Sequence, residues 1–122
     1  QIHFSAHTHE YNHTKKTEIT KFTHIENVSG SFHKYSLEWL PDKLKFFVDD
    51  KLHFTYKPTD LSDCPDYTYW PFDRKFHLVL NIAVGGFWGG VKGVDDSIFP
   101  QAMEIEYVKV YQADEINNLN MV

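Results

Sequence analysis

The 122 residues predict an all-β protein built from antiparallel strands, and three features of the sequence carry this prediction. Apolar and polar residues alternate over several short runs, which is the spacing of half-buried strands. No segment keeps an apolar period of 3.6 residues over the length of a helix. Clusters of Asn, Asp, Ser, Pro and Gly, the residues that favour turns, separate the alternating runs.

Five strands are predicted in the first half of the chain. The first strand is half-buried, because apolar and polar residues alternate from Gln1 to Thr8. The pair Asp49-Asp50 joins two later runs and predicts a hairpin, although a type I′ turn usually has glycine at the second of these positions. The predicted strands cover Gln1–Thr8, Glu18–Glu26, His33–Leu40, Lys43–Asp49 and Lys51–Tyr56.

The second half of the chain is predicted to continue this architecture after a long loop. The loop, Lys57–Tyr69, is rich in Pro, Asp, Ser and Thr, and surface loops of this kind often hold binding residues. Two more strands are predicted at His77–Val84 and Glu104–Tyr111, and a glycine-rich loop follows the first of them. Residues 113–122 read as a polar tail with weak helical character, and the length of the chain fits a single domain.

Composition excludes several classes of function. Lys and Arg number 12 against 17 Asp and Glu, and no basic face is present, which argues against nucleic acid as a partner. No run approaches the roughly 20 apolar residues of a membrane span, because His77 and Asn81 interrupt the longest apolar segment. The single Cys64 excludes an internal disulfide bond and leaves the redox compartment open.

The strand His77–Val84 and the loop after it carry the most informative chemistry. Asn81 places one amide on an apolar run, and an unpaired buried polar group costs about 1–3 kcal/mol. This amide therefore bonds a neighbouring strand or faces a site. Glycines surround Trp88 and let the backbone approach a ligand closely, while the indole offers a flat apolar face and one N–H donor. That combination suits a sugar ring, and the alternative is an indole that closes the end of a core.

Short runs along residues 1–112 resemble a known family, glycoside hydrolase family 16, and occur in the order that the family has. The resemblance covers the second half of the family's domain and is nearest to the bacterial laminarinase-like endo-β-1,3-glucanases. The matching runs are His7-Thr8, Tyr11-Asn-His-Thr14, Phe32-His-Lys-Tyr35, Glu38-Trp39, Pro41-Asp42, Phe46-Phe-Val-Asp49, Trp70-Pro-Phe-Asp73, Phe76 to Trp88, Phe99-Pro-Gln101 and Glu106-Tyr-Val-Lys-Val-Tyr111.

The resemblance implies a concanavalin-like jelly-roll sandwich of two antiparallel sheets, of which this chain is the C-terminal portion. It also implies retaining hydrolysis, in which two carboxyl groups about 5–5.5 Å apart act as nucleophile and general acid/base. The family supplies these groups from a Glu-x-Asp-x-x-Glu segment, and the 122 residues contain no such segment. We therefore expect the catalytic carboxylates to lie upstream of Gln1, in an N-terminal half of the domain, and the isolated chain to be inactive.

Several residues are expected to line the sugar cleft on the strength of this resemblance. Three of them would act most directly, through the imidazole of His7, the amide of Asn81 on a sugar hydroxyl, and the indole of Trp88 stacked on a ring. No cofactor is required, but Glu106 occupies the place of a family Asp that often helps to bind a structural calcium ion. The remaining expected substrate-binding residues are Tyr11, Trp70 and Gln101.

Two other functions remain open at this stage. A non-catalytic β-glucan-binding jelly roll needs the cleft aromatics and no carboxylates. A Zn²⁺ or Cu²⁺ site is the other alternative, because His3, His7 and His9 share one face of the first strand. For the glucanase, the large polysaccharide substrate implies an extracellular or periplasmic location, and this follows from the resemblance alone.

Overall fold

A computed structural model describes residues Gln1–Ala113. The chain divides into two compact units, Gln1–His77 and the segment from Leu78 onward. No helix in the described part is long and apolar enough to cross a membrane. The elements in chain order are β1 Ile2–Ala6, β2 Ile19–Thr23, β3 Tyr35–Trp39, β4 Leu44–Val48, β5 Lys51–Tyr56, a 3-10 turn at Pro58–Asp60, a short helix α1 at Gly86–Gly89 and a 3-10 turn at Asp96–Ile98.

Strands β1 and β2 form an antiparallel pair with Phe4 opposite Lys21. Side chains alternate along β1 as the sequence predicts, because Phe4 and Ala6 are buried while His3 is exposed. On the polar face, the hydroxyls of Ser5 and Thr20 lie 2.8 Å apart in a cross-strand hydrogen bond. The predicted half-buried first strand is therefore confirmed.

Strands β3, β4 and β5 form the second antiparallel sheet, in that order. The β4–β5 hairpin turns at Asp49 and Asp50, whose φ angles of 49° and 65° are both positive, as a type I′ turn requires. The register shifts between Phe46 and Phe47, so that His53 is an additional residue in β5. The five strands predicted before residue 57 are all present; the first four are shortened at their ends, and the fifth has the predicted bounds Lys51–Tyr56.

The two sheets share one hydrophobic core within the first unit. Rings cross the interface, since the Phe4 ring lies 6.1 Å from Phe46 and stacks on His53 at 5.7 Å. Further packing comes from partly buried Trp70 and Phe72. The all-β architecture of two antiparallel sheets is thus confirmed. The buried apolar residues are Phe4, Ala6, Leu44, Val48, Phe54 and Tyr56.

The strands predicted at His77–Val84 and Glu104–Tyr111 are not formed in the described structure. The side chains of Leu78, Leu80 and Ile82 are 65%, 51% and 52% exposed instead of facing a core. A strand exists only as one member of a hydrogen-bonded ladder, and neither segment pairs with another within residues 1–113. The alternation of apolar and polar residues thus predicts which side chains share a face, but it does not identify a strand with which these segments pair. Residues 114–122, most of the predicted polar tail, lie outside the described residues.

Candidate functional site

The loop between β1 and β2 is fixed by its own polar side chains. The Asn12 amide nitrogen donates to the carbonyl oxygens of Thr8 and His9, at 3.1 and 2.9 Å. The Asn12 side-chain oxygen accepts from the Lys15 backbone N–H at 3.0 Å. Thr17 adds a hydroxyl that donates to the Glu10 carbonyl at 2.6 Å. The hydrogen bonds of the Asn12 side chain therefore hold in place the loop that carries Tyr11 and His13.

The same loop is tied to the segment before Trp70. Glu10 donates its backbone N–H to the carbonyl of Thr68 at 3.1 Å, and the rings of Tyr11 and Tyr69 meet edge to face at 5.8 Å. The hydroxyl of buried Tyr56 donates to the Tyr69 carbonyl at 2.5 Å, and burial raises the pKa of this phenol. The sequence does not predict the contact of Tyr69 with Tyr11, because the two residues are 58 positions apart and only the fold joins them.

Histidines lie on both sides of this loop. The exposed rings of His7 and His13 meet at 5.6 Å with an interplanar angle of 81°. The Nδ1 atom of His9 lies 2.9 Å from a carboxylate oxygen of Glu10. That hydrogen bond, together with nearby Lys15, lowers the pKa of Glu10. His7 therefore presents its imidazole to solvent beside His13, and not beside His9.

Trp70 packs against the core of the first unit. Its ring stacks on Tyr56 at 6.1 Å with an interplanar angle of 5°, and it meets Phe72 at 5.2 Å in an edge arrangement. One face of the indole is thereby occupied by protein, which matches the core-capping alternative left open by the sequence. A sugar-stacking role for Trp70 would have to use the opposite face and stays a prediction.

In the second unit, Trp88 lies on a turn set by glycines. Gly85 and Gly86 have φ angles of 73° and 76°, in the region that favours glycine, and the short helix α1 follows at once. The Trp88 side chain is 75% exposed and its neighbour Phe87 is fully exposed. A residue with a side chain at position 90 would place its Cβ 2.6 Å from the Gly86 carbonyl oxygen, so Gly90 keeps this turn tight. Asn81 is exposed in the extended segment before the turn.

The last two predicted site residues also lie in the second unit. Gln101 donates its amide N–H to the carbonyl of Ile98, so this amide satisfies the backbone, which is the structural alternative. Glu106 is exposed, and no three His, Cys, Asp or Glu side chains gather to hold a metal ion anywhere in the described part of the chain. The described residues thus do not assemble a calcium site around Glu106, and they do not bring His3, His7 and His9 together as ligands of one metal ion.

Comparison with known proteins places these observations in a family context. A family model described as glycosyl hydrolases family 16 matches residues 1–109. A β-glucanase of Rhodothermus marinus is 41% identical over 112 residues, which are 91% of this chain and 39% of that protein. A β-1,3-glucan-binding protein of Penaeus monodon is 34% identical over 89 residues, covering 62% of this chain and 24% of the relative.

Solved structures agree with these sequence matches. The crystal structure of the laminarinase from Rhodothermus marinus matches with a TM-score of 0.76 at 41% identity, over 80% of this chain and 39% of that chain. A non-specific endo-β-1,3(4)-glucanase with a bound β-glucan oligosaccharide at its active site matches with a TM-score of 0.72 at 37% identity, over 80% of this chain and 36% of that one. The chain thus spans about two fifths of the length of these relatives.

Proposed function

Because the chain belongs to glycosyl hydrolase family 16, we propose that residues 1–112 supply part of the substrate cleft of a retaining endo-β-1,3-glucanase that acts on laminarin-type β-glucans. The similarity to the Rhodothermus marinus laminarinase supports the substrate class. The catalytic carboxylates would come from a segment outside the 122 residues, since these contain no Glu-x-Asp-x-x-Glu. The 122-residue chain alone would then have no hydrolase activity.

One observation carries this proposal within the family, namely the exposed indole of Trp88 on a glycine-fixed turn. A sugar ring has axial C–H groups on its faces and hydroxyls on its rim, and an indole offers an apolar face for the former and an N–H for the latter. The exposed amide of Asn81 and the exposed imidazole of His7 can each exchange hydrogen bonds with sugar hydroxyls. Each of these side chains would contact the glucan in the complete domain.

Hydrolysis would follow the retaining scheme with the carboxylates in place. One carboxylate would attack the anomeric carbon while the other carboxyl group protonates the leaving oxygen. Water, losing a proton to that second group, would then hydrolyse the covalent glycosyl-enzyme and regenerate the nucleophile. The residues of this chain would contribute by positioning the sugar for that attack. A polysaccharide of this size is encountered outside the cytoplasm, so the proposal includes an extracellular or periplasmic location.

The proposal is tested first on the reading frame that precedes the Gln1 codon. A Glu-x-Asp-x-x-Glu segment close upstream supports it, and the longer chain should then release reducing ends from laminarin. Trp88→Ala in that chain should lower kcat/KM for laminarin roughly tenfold, about 1.4 kcal/mol. Phe22→Ala is the matched control, because Phe22 is another largely exposed aromatic residue, on β2, and the activity of this variant should be unchanged. A longer chain that leaves laminarin intact contradicts the proposal.

A second candidate function is β-glucan binding without hydrolysis, favoured by the similarity to the glucan-binding protein of Penaeus monodon. This function needs the same three residues and no carboxylates. Affinity electrophoresis in laminarin gels separates the two candidates. Retarded migration of the longer chain without release of reducing ends supports binding alone, whereas hydrolysis supports the glucanase.

A further inference from the structure

We propose that His7 and His13 form a two-histidine site for a divalent transition metal ion, and that this site binds Cu²⁺ and Zn²⁺. The two imidazoles come from opposite sides of a loop, since His7 directly follows β1 and His13 lies five residues beyond Thr8. Their ring centroids are 5.6 Å apart. The site shares His7 with the proposed glucan-binding residues, but the argument for it does not depend on that function, because it uses only the geometry of these two side chains.

The separation of the rings fits a shared metal ion. Two imidazoles bound to one tetrahedral ion, with metal–nitrogen bonds of about 2.0–2.1 Å, hold their ring centroids roughly 5 Å apart. The observed 5.6 Å lies close to this value, and the rings are turned by 81° relative to each other. Both side chains are exposed, so rotation about the broad terminal torsion can aim a nitrogen from each ring at a common point.

The backbone on both sides of the pair is held in place. Thr8, next to His7, is buried and exchanges two hydrogen bonds with Tyr11, through its N–H at 2.8 Å and its hydroxyl at 3.0 Å. Asn12, next to His13, holds three loop backbone groups with its side chain. Because the folded loop already fixes the backbone at both histidines, less conformational entropy is lost when a metal ion binds. This favours chelation by the pair over binding to separate histidines.

Two protein ligands leave the other coordination positions to water, because no third His, Cys, Asp or Glu joins the pair within residues 1–113. His9 is directed to Glu10 instead. An open site of two imidazoles should follow the general affinity order of first-row ions, so Cu²⁺ should bind more tightly than Zn²⁺. Mg²⁺ and Ca²⁺, which prefer oxygen ligands, should not bind.

The test is a calorimetric titration of the 122-residue chain with ZnCl₂ and CuCl₂. All proteins carry Cys64→Ser, because the exposed Cys64 thiol is itself a strong ligand for these ions. We expect one ion per chain, and we expect His7→Ala and His13→Ala each to weaken binding at least about tenfold, a loss of about 1.4 kcal/mol. His24→Ala, which removes an exposed histidine after β2, is the matched control and should bind as the parent does.

A second measurement locates the ion without changing the site. Substoichiometric Cu²⁺ should broaden the NMR signals of His7, His13 and their sequence neighbours before any others. Equal affinity in the parent and in both single variants, or broadening centred on other histidines, would overturn the proposal. Neither measurement involves glucan, so failure here leaves the glucanase proposal unaffected.

Discussion

Residues 1–77 and residues 78–113 have similar strand-forming sequences but different structures. The first region pairs five strands into two sheets and buries six apolar side chains. The second has the same kind of alternation at His77–Val84 and Glu104–Tyr111, yet these segments form no strand and leave their apolar side chains exposed. In the first region each strand pairs with a strand next to it in the sequence, across a turn, a short loop or, for β1 and β2, the longer loop of residues 7–18.

The difference shows which part of a strand is encoded locally. A hairpin partner two residues away is specified by the turn, as Asp49 and Asp50 specify the pairing of β4 with β5. For a strand whose partners are distant in the sequence, alternation determines which side chains share a face. Whether a hydrogen-bonded ladder forms depends on the partner strands. The strand-like segments of the second region have exposed apolar side chains, and the described residues contain no strand that pairs with these segments.

The largest expected effect contrasts one core residue with one exposed residue. Tyr56→Ala should lower the free energy of unfolding by about 3–5 kcal/mol, because it removes a buried ring that contacts Trp70 and Phe72. Ile82→Ala, in the second region, should change it by less than about 0.5 kcal/mol. Urea denaturation of the 122-residue chain measures both values. A loss at Ile82 as large as that at Tyr56 would show that the second region is packed as tightly as the first.

A smaller effect separates the two asparagines. Asn12→Ala should lower the free energy of unfolding by about 1–2 kcal/mol, since three hydrogen bonds to loop backbone groups are lost. Asn81→Ala should leave stability unchanged, because Asn81 is exposed in the extended segment. Thermal unfolding of the two variants beside the parent checks this ordering. If Asn81→Ala proves the more destabilising, the amide at position 81 has a structural partner and not a free surface.

The smallest expected effect depends on pH and belongs to the first region. His33 lies 2.8 Å from Asp49 through Nδ1, and this hydrogen bond raises the pKa of His33 above its ordinary 6.5. The same bond, with the Lys34 backbone N–H, lowers the pKa of Asp49 below 3.8. The stabilisation from His33 is complete below pH 6.5 and disappears as pH rises through the raised pKa. That from Asp49 is present above pH 3.8 and disappears as pH falls through the lowered pKa.

The pair should therefore stabilise the fold most between pH 4 and pH 6.5, taking the ordinary pKa values as rough limits. We expect the Tm of the parent to fall between pH 6 and pH 8.5 by more than the Tm of His33→Gln. The variant His24→Gln serves as the control, and its pH profile should follow that of the parent. Parallel profiles for the parent and His33→Gln would exclude a contribution from the pair.

The first five strands could be predicted because their determinants are local. Alternation places Phe4 and Ala6 inward in β1, and two adjacent aspartates give the positive φ angles of the β4–β5 turn. The bulge at His53 could not be predicted, since it depends on how β5 fits beside β4 across a shared core. The prediction of a strand at His77–Val84 failed for the same reason, because strand pairing depends on two segments and not on one alone.

In the candidate site, too, contacts between segments that are distant in the sequence could not be predicted. The side chains of His7, Asn81 and Trp88 are exposed, and their roles toward sugar stay predictions. Sequence gave no signal for the contact of Tyr11 with Tyr69, which requires the loop before Trp70 to fold back on the β1–β2 loop. The pairing of His7 with His13 likewise depends on the turn that Asn12 closes between them.

The turn of the β4–β5 hairpin restricts future substitution unequally at its two positions. Asp49 and Asp50 share a left-handed backbone, which admits Gly, Asn and Asp far more readily than other residues. Position 50 can accept any of these three, since its carboxylate meets only the exposed ammonium of Lys34. Position 49 must also hold His33 and the Lys34 N–H with two carboxylate oxygens, a requirement that Asp alone among the three meets. Two neighbours that look identical in the sequence thus differ in the substitutions that the structure can accept, and position 50 accepts more of them than position 49.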